Sequence, residues 1–460
     1  MEWGVICCMG CKTKYPVAFG IPILKHPDAY ADVVNDYNQK NYSVNKDSLV
    51  KKLVVNIEEG KIEEVIRALL FTHSPRKLLK RAQNNEKKFN YDTKLTGVLP
   101  NFVIRLFGKR RLYYLYWIIT KLTFQDLRSR KKKEKIFERL MQQTTAAGFI
   151  KHYFQIVKSA EMERYFLYRY GTPRHLTSLS LLSTIPESES PILEVACGAG
   201  HIMQYFTERK LNCPVIGMDR TFAHLYLAKK YICPEGNYFC AEAEQKLPFQ
   251  ANLFSAVYCS DAFPELPSRE HIVSEMKRVL IDDGTIIITR VSSIPQSYYN
   301  SDAILSAMQL KKLFSDMKNI VLDEDDILDR YISKLGPDLK NEHTIEDLNQ
   351  KDWISIVASH SKNTFNTYGQ FHVWPHAYGH LHINPLFSEN GKDIYGNIIL
   401  NFEFPSTWYV NTNIEYMKYA IKSVHLSQLT LNDVKEGKRT PEVEELISKF
   451  VVLGMSENFF

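Results

Sequence analysis

Ile192-Leu193-Glu194-Val195-Ala196-Cys197-Gly198-Ala199-Gly200-His201 is the stretch from which the fold is read. Four apolar or strand-favouring residues run into a Gly-x-Gly turn, and a helical pattern begins at once. Glycine is needed at such a turn because the backbone bends sharply and a ligand must come close to it. The third glycine of the dinucleotide fingerprint is absent, and no Gly-Lys-Ser/Thr follows as in a phosphate-binding P-loop.

Four further segments continue the pattern. Val215-Ile-Gly-Met-Asp219 is a second apolar run ending in a carboxylate, at the spacing of about 20 residues where doubly wound sheets place a ribose-binding acid. Phe239-Cys-Ala-Glu242-Ala243-Glu244-Gln-Lys-Leu-Pro-Phe249, Phe254-Ser-Ala-Val-Tyr-Cys-Ser-Asp261 and Glu275-Met-Lys-Arg-Val-Leu280 through Thr289-Arg290 come next. We read strands at 192–196, 215–218, 238–240, 256–259 and 285–291, with helices near 201–210, 222–231 and 269–280 between them. Alternating strand and helix predicts a parallel sheet covered on both faces. Beyond it the pattern predicts a helix near 303–317, an acidic patch at 323–329, a strand at 353–358 and β-structure over 371–411.

In this order and spacing the five segments resemble the class I S-adenosylmethionine-dependent methyltransferases, closest to the broad small-molecule group that includes ubiquinone- and menaquinone-pathway enzymes. The resemblance covers residues 160–292. It departs from the common pattern at Glu242 and Ser255, where many relatives have Asp. It implies an α/β fold with a seven-stranded Rossmann-like sheet and S-adenosyl-L-methionine as cofactor. It further implies that Glu194 sits near the methionine amino group and that Ala196, Gly198 and Gly200 let the backbone approach. Asp219 would take the ribose hydroxyls, Arg220 would flank the adenine, Glu242 and Ala243 would line its edge, and Asp261 would stand on the lip shared with the acceptor.

Around this unit the chain divides into 1–27, a partial zinc-ribbon-like knuckle; 28–160, a helical basic region; 161–360, the methyltransferase unit; and 361–460, an α+β extension. The 460 residues are 45% hydrophobic and 24% charged, which are globular values. Residues 1–140 hold 28 Lys/Arg and 14 Asp/Glu, a balance of +14 that leaves −8 for the rest against a total of +6. Eight cysteines are too few for a disulfide scaffold. No apolar run reaches the ~18 residues of a membrane span, and the start lacks a basic leader, so a cytoplasmic setting is expected.

Cys8-Met-Gly-Cys11 supplies only half of a four-ligand zinc set, so no metal is expected. The apolar stretch 112–124 and the basic run 128–135 fit a buried helix with a basic exit, contact with an anionic membrane surface, or contact with nucleic-acid phosphates. No Asn/Asp-Pro-Pro-Tyr or Pro-Cys segment follows the fourth strand, which favours a small-molecule acceptor over a nucleobase. Residues 372–382 hold four of the 14 histidines. Metal binding, packing and a base at the acceptor compete there; His376, His380 and His382 are the candidate catalytic residues. The reading is a methyltransferase acting on a small molecule by O- or N-attack. The alternatives are an RNA or protein methyltransferase, and a cofactor-binding partner protein without turnover. Oligomeric state is not readable.

Overall fold

The computed structural model describes residues 2–9, 12–24, 49–71, 134–135, 137–185, 187–209, 213–293 and 304–460. At its centre is a seven-stranded sheet built from β4 (Ile192–Val195), β5 (Val215–Asp219), β6 (Asn237–Cys240), β7 (Phe254–Ser260), β8 (Leu280–Ser292), β9 (Lys318–Asp323) and β10 (Trp353–Ser359). Their spatial order is β6-β5-β4-β7-β8-β10-β9, and only β10 runs against the others. Order reverses direction between β4 and β7, which opens a crevice at the carboxyl ends of these strands, the usual ligand position in such sheets. The central strands are buried on both faces, which explains their nearly unbroken apolar sequence.

The helices that position the site are α3 (Ala146–Val157), α4 (Ala160–Leu167), α5 (Pro173–Leu182), α6 (His201–Glu208), α7 (Phe222–Leu227) and α8 (Arg269–Val279); two others, α1 (Leu49–Glu58) and α2 (Ile62–Phe71), precede them. Among the described residues of the helix expected near 303–317, only Ala307–Lys312 is α-helical. The expected acidic patch is a strand end and a helix start. Asp323 closes β9 and caps the helix Glu324–Ile332, whose first turn holds Glu324, Asp325 and Asp326. Acids there meet the positive end of the helix dipole.

The described residues between 2 and 24 form a three-stranded antiparallel sheet, β1 (Trp3–Cys7), β2 (Lys14–Ala18) and β3 (Ile21–Pro22). It docks on the outer edge of β6: Ile23 bridges Cys240 in parallel, and Leu24 N–H donates to the Cys240 carbonyl (2.8 Å). Trp3, Phe19 and Tyr226 continue this contact edge-to-face at 4.6 Å per pair. Cys11, the stretch 112–124 and nearly all of the run 128–135 lie outside the described residues. Among the described residues no group of three or more His, Cys, Asp or Glu could hold a metal, and no helix is long and apolar enough to cross a membrane.

The C-terminal part adds a sheet of β12 (Phe387–Lys392), β13 (Ile398–Phe402) and β14 (Ser423–Leu426), and a pair of β11 (His380–Ile383) with β15 (Val452–Met455). The chain end returns to the main unit. Ala146 and Ala147 N–H donate to the carbonyls of Asn458 and Phe459, both at 2.8 Å.

Candidate cofactor site

β4 ends in a tight turn held by its neighbour strand. Cys197 N–H donates to Met218 O (3.0 Å), Gly200 N–H to Cys197 O (3.0 Å), and Gly198 N–H to Asp219 Oδ2 (3.0 Å). Asp219 Oδ1 accepts from Thr221 N–H (2.7 Å). The carboxylate therefore fastens the glycine loop to the end of β5. Each oxygen keeps an acceptor position beyond the backbone bond it already takes.

The two glycines serve different ends. Gly200 has φ +75°, and a Cβ there would come to 3.0 Å from Ala228 Cβ and Tyr238 Oη, so both the backbone and tight packing disfavour a side chain. Gly198 has φ +55°, yet a Cβ would meet only Phe166 at 3.7 Å. Its left-handed backbone lies in open space, the condition for a ligand's close approach. Ala196 (φ +58°) and Asp261 (φ +53°) are also left-handed, without glycine's freedom. Strained residues of this kind gather where the surrounding structure fixes a site.

A cavity opens at this point. Of the residues named from the sequence, Ala196, Asp219, Arg220 and Ala243 line it, whereas Glu194, Gly198, Gly200, Glu242 and Asp261 are not among its lining residues; His224, Glu244 and Glu265 join the four. Sequence reasoning missed these three. Arg220 and Glu244 pair at 3.7 Å, and His224 Nδ1 stands 3.9 Å from Asp219 Oδ1. The Phe166 ring packs edge-on to His224 (4.9 Å) and nearly parallel to His201 (6.0 Å).

Glu194, on β4, is 3% exposed, with Oε2 unpartnered. Burial pushes its pKa up to about 8, against the pull of Arg169. Asp261, expected on the lip shared with the acceptor, is enclosed by its neighbours. Its Oδ2 accepts from Arg169 Nη1 (2.8 Å), Arg174 Nη1 (3.0 Å) and Tyr165 Oη (3.0 Å), and its side chain is 2% exposed. Burial alone would raise its pKa; Arg174, Arg169 and Arg290 outweigh this and hold it down at about 2.

None of the three candidate histidines is among the cavity-lining residues. His376 is 3% exposed, with Nδ1 at 3.0 Å from Tyr331 Oη and Nε2 at 3.0 Å from Ile447 O, and its ring stacks on Phe450. Burial lowers its pKa to about 3. His380 is exposed on β11, while His382, on the same strand, packs against Phe460.

Sheet order, glycine loop and acid together define a class I methyltransferase fold with a site of the S-adenosylmethionine type. Within it, residues 193–288 match the family described as a methyltransferase domain. Over 101 residues the chain is 31% identical to the sterol 24-C-methyltransferase of Saccharomyces cerevisiae, covering 21% of this chain and 26% of that protein. Two solved structures are similar at low overlap. A TehB-like methyltransferase of Corynebacterium glutamicum has 14% identity, TM-score 0.30, and covers 40% of this chain and 88% of its own. A phosphoethanolamine N-methyltransferase of Haemonchus contortus has 14% identity, TM-score 0.33, and covers 46% and 60%.

The residues present fit S-adenosylmethionine. Asp219 offers acceptors to a diol, Gly198 offers bare backbone, Ala196 and Ala243 leave room, and the unpartnered Glu194 can take a cation.

Proposed function

We propose that this protein transfers a methyl group from S-adenosylmethionine to a small molecule, by O- or N-attack. One observation carries the reading: Asp219 lines the cavity while its carboxylate bonds the N–H of Gly198, so acid and glycine loop form one preset unit. When bound, the cofactor supplies an already activated methyl on sulfur. The chain's own residues then need chiefly to bind, orient and exclude water. Asp219 holds the ribose hydroxyls, with Gly198 and Gly200 shaping the loop beside it. Arg220, paired with Glu244, braces the adenine side together with Glu242 and Ala243. Glu194 faces the amino group. Asp261 acts through the side chains it fixes, Tyr165 and Arg169, on the acceptor side.

The absence of nucleobase-type segments supports a small acceptor, as does the sterol enzyme's name among the relatives. Calorimetry with S-adenosylhomocysteine tests the cofactor site. Asp219→Ala removes an acceptor worth about 1–3 kcal/mol and lowers affinity accordingly. Gly198→Val fills the open approach and also weakens binding. Unchanged affinity in both variants overturns the assignment. Incubating cell extract with methyl-labelled cofactor then separates acceptors: label in RNA or protein fractions, not in small molecules, would sink the small-acceptor reading.

A second reading, a cofactor-binding partner without turnover, is favoured by the closure of Asp261 under two arginines and a tyrosine. Tight cofactor binding with no label transferred to any fraction would select it.

A further inference from the structure

Behind the glycine loop, where β15 meets α6, six polar atoms are buried without a partner in the protein. They are Tyr170 Oη, His175 Nδ1, His201 Nε2, both amide atoms of Gln204, and Ser456 Oγ. All five residues are between 2% and 5% exposed. They are neighbours. The Tyr170 ring centre lies 5.7 Å from that of His175 and 4.9 Å from that of His201. Gln204 follows His201 by one turn of α6. Its Nε2 and the carbonyl of Met455, the residue before Ser456, flank one point over Gly379 at 2.6 and 2.7 Å. Tyr170 Oη is directed at Ser456 without closing a well-formed bond.

Each buried polar group left unpaired is costly, and six together would rival the whole stability of a domain. Clustered as they are, they point to a common partner. Burial lowers the pKa of His175 and His201 and raises that of Tyr170, so all three are neutral. No carboxylate belongs to the cluster. A guest here must be uncharged, and both donor and acceptor. Water meets these demands, and at about three bonds per buried molecule six atoms call for about two waters.

We propose that this is a built hydration site, in which about two resident waters bridge Ser456, just after β15, and the segment 170–175 to α6. His201 is the residue after Gly200, so the bridge ties the first turn beyond the glycine loop to the C-terminal part of the chain. This does not depend on the proposed activity.

Water-oxygen relaxation dispersion on the full chain counts long-lived internal waters. Gln204→Leu is expected to lose one or two of them relative to the unsubstituted protein, and Ser456→Ala, the milder change, about one. Wild-type counts in both folded variants would overturn the proposal. A high-resolution crystal structure of the unsubstituted chain asks the same question without any variant. Ordered waters within hydrogen-bond distance of these atoms support it. Direct pairing of the six atoms with one another, or an organic molecule in their midst, refutes it.

Discussion

Two carboxyl groups at the ends of adjacent strands have opposite environments. Glu194 on β4 is buried with one oxygen unpartnered, and its pKa is pushed up to about 8. Asp261, just past β7, is as deeply buried, yet it receives two guanidinium groups and a hydroxyl and is held at about 2. The crevice is thus asymmetric. Its β4–β5 half is left with spare bonding capacity, as a site that receives a ligand must be. Its β7–β8 half is saturated from within by residues 165–174. Burial does not decide the charge of a carboxyl; the partners brought to it do.

The largest expected effect tests the unsaturated half. Between pH 4.5 and 8 the unfolded chain gives up the Glu194 proton while the folded chain keeps it, so stability falls as pH rises through this window. At about 1.4 kcal/mol per pKa unit the full fall is on the order of 5 kcal/mol. Glu194→Gln keeps the shape and removes the titration. Its denaturation midpoints, taken across that pH range, should decline less steeply than those of the unsubstituted protein. Parallel curves would break the contrast.

The saturated half gives the next effect. Asp261→Asn leaves Arg169 and Arg174 buried without their anion, at a cost of about 3–5 kcal/mol by chemical denaturation. The ionised carboxylate's contribution is present above pH 3.8 and lost as pH falls towards 2. Asp219→Ala should act in the other currency, lowering S-adenosylhomocysteine affinity roughly 5- to 150-fold. If Asp261→Asn left stability untouched and cut cofactor affinity instead, the two halves would have to exchange roles.

These particulars also show what a sequence displays and what it hides. Strands β4, β5, β7 and β8 are legible because buried parallel strands leave continuous apolar runs, and the glycine loop because its backbone demands are local. Lys318–Asp323 is not legible: its apolar run Ile320-Val321-Leu322 is only three residues long and leads straight into an acidic helix, and pairing with β10 makes the segment a strand. The closure of Asp261 is invisible for a different reason, since Arg169 and Arg174 lie 92 and 87 residues away along the chain. Likewise His224 reaches the cavity from the first turn of α7 and Glu244 from the turn after β6, with no motif to mark them.

The histidines of 372–382 supply the smallest expected effect, and one that sharpens the contrast by lying outside both halves. Residue type and crowding make them candidates for a base, but a base must reach the acceptor and hold a pKa near the working pH. His376 is ill suited to that task. Both its ring nitrogens are engaged, by Tyr331 and Ile447, and its pKa lies near 3. Removing it should therefore loosen packing among Tyr331, Trp374 and Phe450 without touching transfer. His380 is exposed, and surface substitutions usually stay within about 0.5 kcal/mol. We expect His376→Ala to lower the thermal midpoint and His380→Ala to leave it unchanged, with cofactor affinity and turnover per folded molecule in both within about twofold of the unsubstituted protein. A base at the acceptor would contribute about 10²–10⁴-fold. A loss of that size in either variant, measured on protein shown to be folded, would place the acceptor against β11 and move the working half of the crevice to the C-terminal part of the chain.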